Sequence, residues 1–312
     1  MSKMSTDLER HALNGPTMGT RWSALFHAPS GFDAAPVRAA LQAAVDEVDA
    51  QMSTWKPDSD LTRLNQAPTG EWVTVPGRLL DVIRLGLKIG RESGGAFDIG
   101  LGDAVTAWGF GPAGASPDGI REATRARRSP AHDVLEIDGT RIRKKGRMTL
   151  DLNGVAKGYG VDRLVEILGG FGIRDALVGI DGEMRAMGLR HDGDAGDYRH
   201  WIEVKGRRLS HTMDPVRGAP LMQSPASVTV IAPTCVEADA WATAFMVLGP
   251  DRSGEIARRS RLNALFLLRG EADSIRCCRI GGLFSGGQTS VPPDGAGRDG
   301  ALDRGPAVAS PF

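Results

Sequence analysis

Apolar residues return every three or four positions from Pro36 onward, with Val37, Leu41, Val45, Val48 and Met52 on one side. That spacing predicts a helix burying one face, with proline in its first turn. A second run begins near Leu79, carries Val82, Ile83, Leu87 and Ile89, and stops near Gly94-Gly95. A third holds Val161, Leu164, Val165 and Leu168 and ends at Gly169-Gly170. A fourth runs from Val236 to Leu248, with Gly249 placed to cap it. Shorter apolar stretches predict strands at 20–26, 72–75, 148–150, 176–180, 228–231 and 264–268. Residues 134–137 and 140–143 flank Asp138-Gly139, a hairpin signal. Helices and hairpins mix without a βαβ rhythm, which places the chain in the α+β class. Residues 1–13 read as a loose tail and 14–270 as one domain. Beyond Gly270 the apolar periodicity fades into Gly, Pro, Ser and Arg, so 271–312 are expected to be disordered.

Composition narrows the classes. The 312 residues are 41% hydrophobic and 24% charged, ordinary for a soluble globular protein. Formal net charge is zero, which argues against an electrostatic partner such as nucleic acid or an anionic membrane. The Arg-rich stretch 121–128 reads as a solvated face. The three cysteines, Cys235, Cys277 and Cys278, have no CxxC or Cys/His spacing, so neither a disulfide framework nor a zinc site is expected. No apolar run is long enough for a membrane span. The polar start lacks an apolar signal region, so the sequence as written is expected in the cytoplasm.

Candidate chemistry begins on the fourth helix. Asp239 and Thr243 lie four apart and share a face. A carboxylate and a hydroxyl there are hard oxygen donors suited to Mg²⁺ or Ca²⁺. The same residues also fit an acid favoured by the helix dipole and a threonine bonding back into the helix. A second constellation, Asp151-Leu-Asn-Gly-Val-Ala-Lys-Gly158, is a strand-to-helix turn with glycines and a lysine. Glycines admit close backbone approach, a helix start offers N–H groups to an anion, and Lys157 brings positive charge. The spacing is not that of a P-loop, and a tight turn with a surface lysine would look alike. His211 precedes an Asp214-Pro215 turn, Trp55 is free to stack on a planar ring or to sit in a core, and Asp98 follows Gly94-Gly95-Ala96-Phe97.

Taken in order, Asp151-Leu-x-Gly-Val-Ala-Lys-Gly-Tyr159, Ser210-His-x-x-Asp-Pro-x-x-Gly-x-Pro220 and Ala238-Asp-Ala-x-Ala-Thr-Ala244 resemble the FAD:protein FMN transferase family, the ApbE-like flavin transferases. The resemblance spans about 17–270. It implies a bilobal α+β fold with an FAD cleft between the lobes. It also implies transfer of FMN from FAD to a Thr or Ser hydroxyl of an acceptor protein, with release of AMP. Two other activities accord with the motifs: FAD binding without turnover, and hydrolysis of FAD to FMN and AMP. By resemblance, Asp239 and Thr243 would hold Mg²⁺ with backbone oxygens near Ala242 and Gly154. Asp151, Lys157 and Thr212 would contact FAD. Met18, Trp55, Ala96, Phe97 and Asp98 would line its pockets. His211, with Asp239 the implied catalytic pair, would serve a phosphate oxygen or take the hydroxyl proton. Family members often carry an export signal or lipoprotein leader.

Two departures stand out. Asp181-Gly182-Glu183-Met184-Arg185 carries an aspartate where the family usually has the first of two glycines. That carboxylate would repel an anionic ligand near the turn. Between Gly188 and Tyr198 about thirty residues of the family pattern are missing, a longer stretch than ordinary loops. A strand pairing is therefore expected to be absent from the sheet, leaving an open or repacked edge.

Overall fold

The computed structural model describes residues 8–188, 202–204, 207–209, 212–221, 224–270 and 274–284. In chain order the first half holds β1 (Leu8–Thr17), β2 (Thr20–Pro29), α1 (Ala35–Met52), α2 (Asp60–Gln66), β3 (Trp72–Thr74) and α3 (Gly77–Glu92). Then come α4 (Gly102–Ala107), α5 (Pro117–Arg125), α6 (Ala131–Val134), β4 (Leu135–Asp138), β5 (Arg141–Lys144) and α7 (Ala156–Gly170). The remainder holds β6 (Ala176–Ile180), β7 (Glu183–Met187), β8 (Ile202–Val204), β9 (Arg207–Leu209), β10 (Met213–Asp214), β11 (Ala219–Pro220), β12 (Ser227–Ile231), α8 (Cys235–Arg259), β13 (Asn263–Arg269) and β14 (Ile275–Ile280). The class is α+β, as the mixed pattern predicts.

Every named strand pairing is antiparallel. The largest sheet has the order β1-β2-β6-β7, and two three-stranded sheets run β3-β5-β4 and β12-β13-β14. One core lies between the large sheet and helices α1 and α7. There Trp22, Phe26, Val178 and Ile180 meet Val37, Leu41, Val45, Val161 and Leu164. A second core gathers Leu61, Leu79, Ile83, Ile142, Phe245 and Phe266 from α2, α3, β5, α8 and β13. Helix α7 packs on the large sheet and against α8, so the two cores meet where these helices touch.

Three expectations are corrected, and one is refined. Residues 8–13 are not a tail but the start of β1, paired with β2 from Leu8↔Pro29 to Thr17↔Thr20. Glu9, Arg10 and Asn14 are exposed on this edge strand, and the imidazole of His11 stacks on Phe26 at 5.3 Å between ring centroids. Residues 148–150 form no strand; a single parallel bridge joins Leu101 to Thr149. Past Gly270 the chain returns to the fold, because β14 pairs with β13. Its Ile-Arg-Cys-Cys-Arg-Ile sequence is an exposed edge strand with little apolar alternation, which hides it from a periodicity search. Gly249 does leave the helical region, with φ 71°, but α8 resumes at Pro250. A left-handed glycine ends one helical run and a proline opens the next, so α8 is two helices joined at a kink.

The expected loss of a pairing concerns residues 189–201, outside the described residues; among those described, β7 is the sheet's edge. No helix of the described residues is long and apolar enough to cross a membrane.

Candidate active site

The segment from Asp151 to Val155 delivers the chain into α7, whose first turn has no side-chain cap of its own. The first N–H groups of a helix need acceptors from elsewhere. Here one comes from α8: the Asp239 carboxylate accepts the Gly158 N–H at 2.9 Å. The reverse also holds. Asp162, one turn along α7, accepts the N–H groups of Cys235 and Val236, in the first turn of α8, at 3.0 and 2.9 Å. Arg185 on β7 pairs with the same Asp162 carboxylate. Each helix thus caps the other with an acid four residues beyond an amide it supplies. The N-terminus of α8 is completed by Thr234, whose hydroxyl accepts the Glu237 N–H at 3.4 Å.

Close approach makes this geometry possible. A Cβ on Gly158 would lie 2.5 Å from the Cys235 carbonyl oxygen and 2.8 Å from the Asp239 Cβ. A Cβ on Gly154 would meet the Thr243 hydroxyl at 3.0 Å and the Phe97 ring at 3.3 Å. The absence of these side chains lets α7 and its leading turn reach the face of α8 that carries Asp239 and Thr243. Gly154, Asp239 and Thr243 therefore come together, with Ala242 half-buried one residue before Thr243.

The electrostatics are unusual for a protein core. Burial pushes the Asp239 carboxyl well above the usual range, and neighbouring Glu183 pushes the same way, against the Gly158 N–H and Lys157. Glu183, half-buried on β7, is raised chiefly by loss of solvent, with Lys157 lowering it and Asp181 raising it further. Lys157 itself is bound to Asp181, Nζ to Oδ2 at 2.6 Å. Three carboxylates, Asp181, Glu183 and Asp239, thus share one ammonium. Burial and the acids around it push the Cys235 thiol up, so no thiolate nucleophile forms here.

The other predicted residues separate into groups. Met18 sits in the β1–β2 turn at φ 44°, and its methyl reaches α7, 3.2 Å from where a Gly160 Cβ would be. Ala96 and Phe97 are buried, and the Phe97 ring stands beside Gly154. Asp98 ties loops together, accepting the Gly100 and Ala131 N–H groups at 2.8 and 3.1 Å. Burial raises its carboxyl against those two bonds. Trp55 is 60% exposed, so it does not fill a core. Thr212 is buried, and its carbonyl accepts the Leu221 N–H at 3.1 Å. His211 lies outside the described residues. Sequence alone assigns no role to Asp162 or to the Glu183 carboxylate. One signal was available: Asp162 is an acid among the apolar positions Val161, Leu164 and Val165.

Asp151 accepts the Asn153 N–H at 2.9 Å, yet burial outweighs that bond and pushes its carboxyl up to about 6 from 3.8. A folded-state value above the unfolded one favours the protonated form. The associated stability is present below about pH 4 and lost as pH rises through about 6. Asp151→Asn is therefore expected to raise the melting temperature at pH 7.5 by roughly 2–4 °C, in metal-free buffer, and to change little at pH 4. A gain confined to acid pH, measured by thermal unfolding at both values, would reverse the assigned sign.

Among the described residues no cluster of three or more His, Cys, Asp or Glu is arranged to hold a metal. The Asp239 group is of another kind: one carboxylate and one hydroxyl, both hard donors. Hard oxygen donors of this kind suit a hard divalent cation.

Comparisons with known proteins give the chain's family. A model described as the ApbE family matches residues 18–195 and 193–266. The FAD:protein FMN transferase of Klebsiella pneumoniae (strain 342) is 33% identical over 300 residues, covering 85% of each chain. That of Escherichia coli (strain K12) is 33% identical over 301 residues with the same coverage. Since 85% of 312 residues is about 265, about 35 of the 300 Klebsiella positions face no residue here. Among solved structures, the apo flavinyl transferase ApbE of Pseudomonas stutzeri superposes with a TM-score of 0.76 at 32% identity, over 88% of this chain and 95% of that one. The flavin transferase ApbE of Vibrio cholerae gives 0.75 at 29% identity, over 88% and 97%.

Proposed function

We propose, from the premise that this chain belongs to the ApbE family, that it is a Mg²⁺-dependent FAD:protein FMN transferase. The observation that carries the reading is the meeting of Asp239, Thr243 and Gly154 at the mutual caps of α7 and α8. In the reaction, a Thr or Ser hydroxyl of the acceptor protein attacks the FMN-side phosphorus of FAD. A new P–O bond forms, the bridging P–O bond breaks, and AMP leaves with the bridging oxygen.

The residues divide the work. Asp239, Thr243 and the main-chain oxygens near Gly154 and Ala242 would hold Mg²⁺. Bound there, the ion supplies Lewis-acid stabilisation of pyrophosphate charge. Lys157 places an ammonium for a phosphate oxygen once it leaves Asp181. The exposed Trp55 offers a ring face to a flavin or adenine, Met18 and Phe97 supply apolar contact, and Asp151 and Thr212 polar contact. His211, next to buried Thr212, takes the hydroxyl proton or donates to a phosphate oxygen.

One incubation tests this. Purified chain with FAD and Mg²⁺ is expected to release AMP and to form protein-bound flavin in equal amounts, only when an acceptor protein is added. Free FMN without acceptor would make it a pyrophosphatase. FAD bound with no AMP released in any mixture would make it a flavin-binding relative, a reading that the shortened segment and the Lys157–Asp181 pair favour.

A further inference from the structure

The turn between β6 and β7 holds an acid in a strained place. Asp181 has φ 57°, a left-handed conformation that glycine and asparagine accept most readily. Its N–H donates to the Arg21 carbonyl on β2, which fixes the turn against the sheet. Its side chain is 13% exposed and lies 2.6 Å from the Lys157 ammonium, which is 33% exposed. Lys157 projects from the first turn of α7, one residue before the amide that Asp239 accepts. Glu183, two residues beyond Asp181, is half-buried and interacts with the same ammonium. Among the described residues, the cation acting on the Asp239 carboxylate, Lys157, is therefore already paired with an internal anion.

We infer that Asp181 is a specificity-determining residue: its carboxylate occupies the place on Lys157 that a substrate phosphate must take, and so sets the affinity for phosphate-bearing flavins. This rests on the transferase reading of the site. Exchange of one anion for another on a partly buried lysine returns only the difference between two ion pairs. The displaced Asp181 carboxylate then faces both Glu183 and the arriving phosphate, so phosphate affinity is lower than Lys157 alone would give. A flavin without phosphate gains nothing from Lys157 and pays no such penalty.

Binding by the full chain, followed by quenching of flavin fluorescence with Mg²⁺ present, separates the outcomes. Asp181→Asn keeps the shape and tolerates the left-handed backbone; Asp181→Gly relieves it. Both are expected to lower the Kd for FAD about tenfold and to leave that for riboflavin unchanged, a difference of one decade in the binding constant. In a Lys157→Met background the gain is expected to vanish. FAD bound equally by wild type and both variants, or more weakly by the variants, overturns the inference and leaves the transferase reading standing. A gain that persists in the Lys157→Met background, or that extends equally to riboflavin, also overturns it. No binding of FAD by wild type or variants overturns the transferase reading, and this inference with it.

Discussion

Asp239→Asn is expected to lower the rate of AMP release from FAD by at least about a thousandfold, which corresponds to about 4 kcal/mol at the transition state. The asparagine keeps the volume and one oxygen to accept the Gly158 N–H, so the joint between α7 and α8 survives. What disappears is the negative charge, the one property a cation requires. A second readout needs no turnover: Mg²⁺ should raise the melting temperature of the wild type and not of the variant, because a ligand stabilises only a fold that binds it. The apo variant should also lose less stability as pH rises out of the acid range. Asp239 has a folded-state value above its unfolded one, so its ionisation opposes folding as pH rises. Activity within tenfold of wild type, or an undiminished Mg²⁺ response, would remove Asp239 from the metal.

Gly158→Ala should loosen the joint between α7 and α8. Alanine is the better helix former by about 1 kcal/mol. Against this, the new Cβ would stand 2.5 Å from the Cys235 carbonyl oxygen and 2.9 Å from its carbonyl carbon. Those are main-chain atoms and cannot swing aside. Helix α8 must move, and the bonds of Asp239 and Asp162 stretch with it. Overpacking of this kind and the orphaned buried amides should together cost about 3 kcal/mol or more, so the clash outweighs the propensity. Gly169 in the same helix is the control, because nothing lies within 4 Å of its would-be Cβ. Gly169→Ala should be neutral or stabilising by up to about 1 kcal/mol. Urea unfolding of both variants decides: equal midpoints would mean that α7 and α8 are not held in contact at Gly158.

Much of this architecture is legible in local pattern. The long helices follow their apolar spacing, and β6 lies at 176–180, where the apolar run predicts it. The common face of Asp239 and Thr243 follows from a spacing of four. What escapes is what depends on distant partners. Gly158 and Asp239 are 81 residues apart and Val236 and Asp162 are 74 apart, so nothing near either residue announces the bond. Asp181 shows the same limit from the other side. Its charge predicts repulsion of an anion, but only the fold reveals that the charge is already answered by Lys157. Strands β1 and β14 escape because edge strands carry polar residues that break the alternation a search relies on.

The crossed caps of α7 and α8 have a consequence for solvent. The amide protons of Gly158, Cys235 and Val236 bond to carboxylates, whereas most helix amides bond to backbone carbonyls. A carbonyl cannot be switched off, but a carboxylate is weakened as an acceptor by a proton or by a competing cation. Exchange of these three amides with deuterated water therefore reports directly on how tightly the two helices grip one another. Deuterium uptake at the heads of α7 and α8 would give that gauge in the absence of flavin, acceptor or turnover.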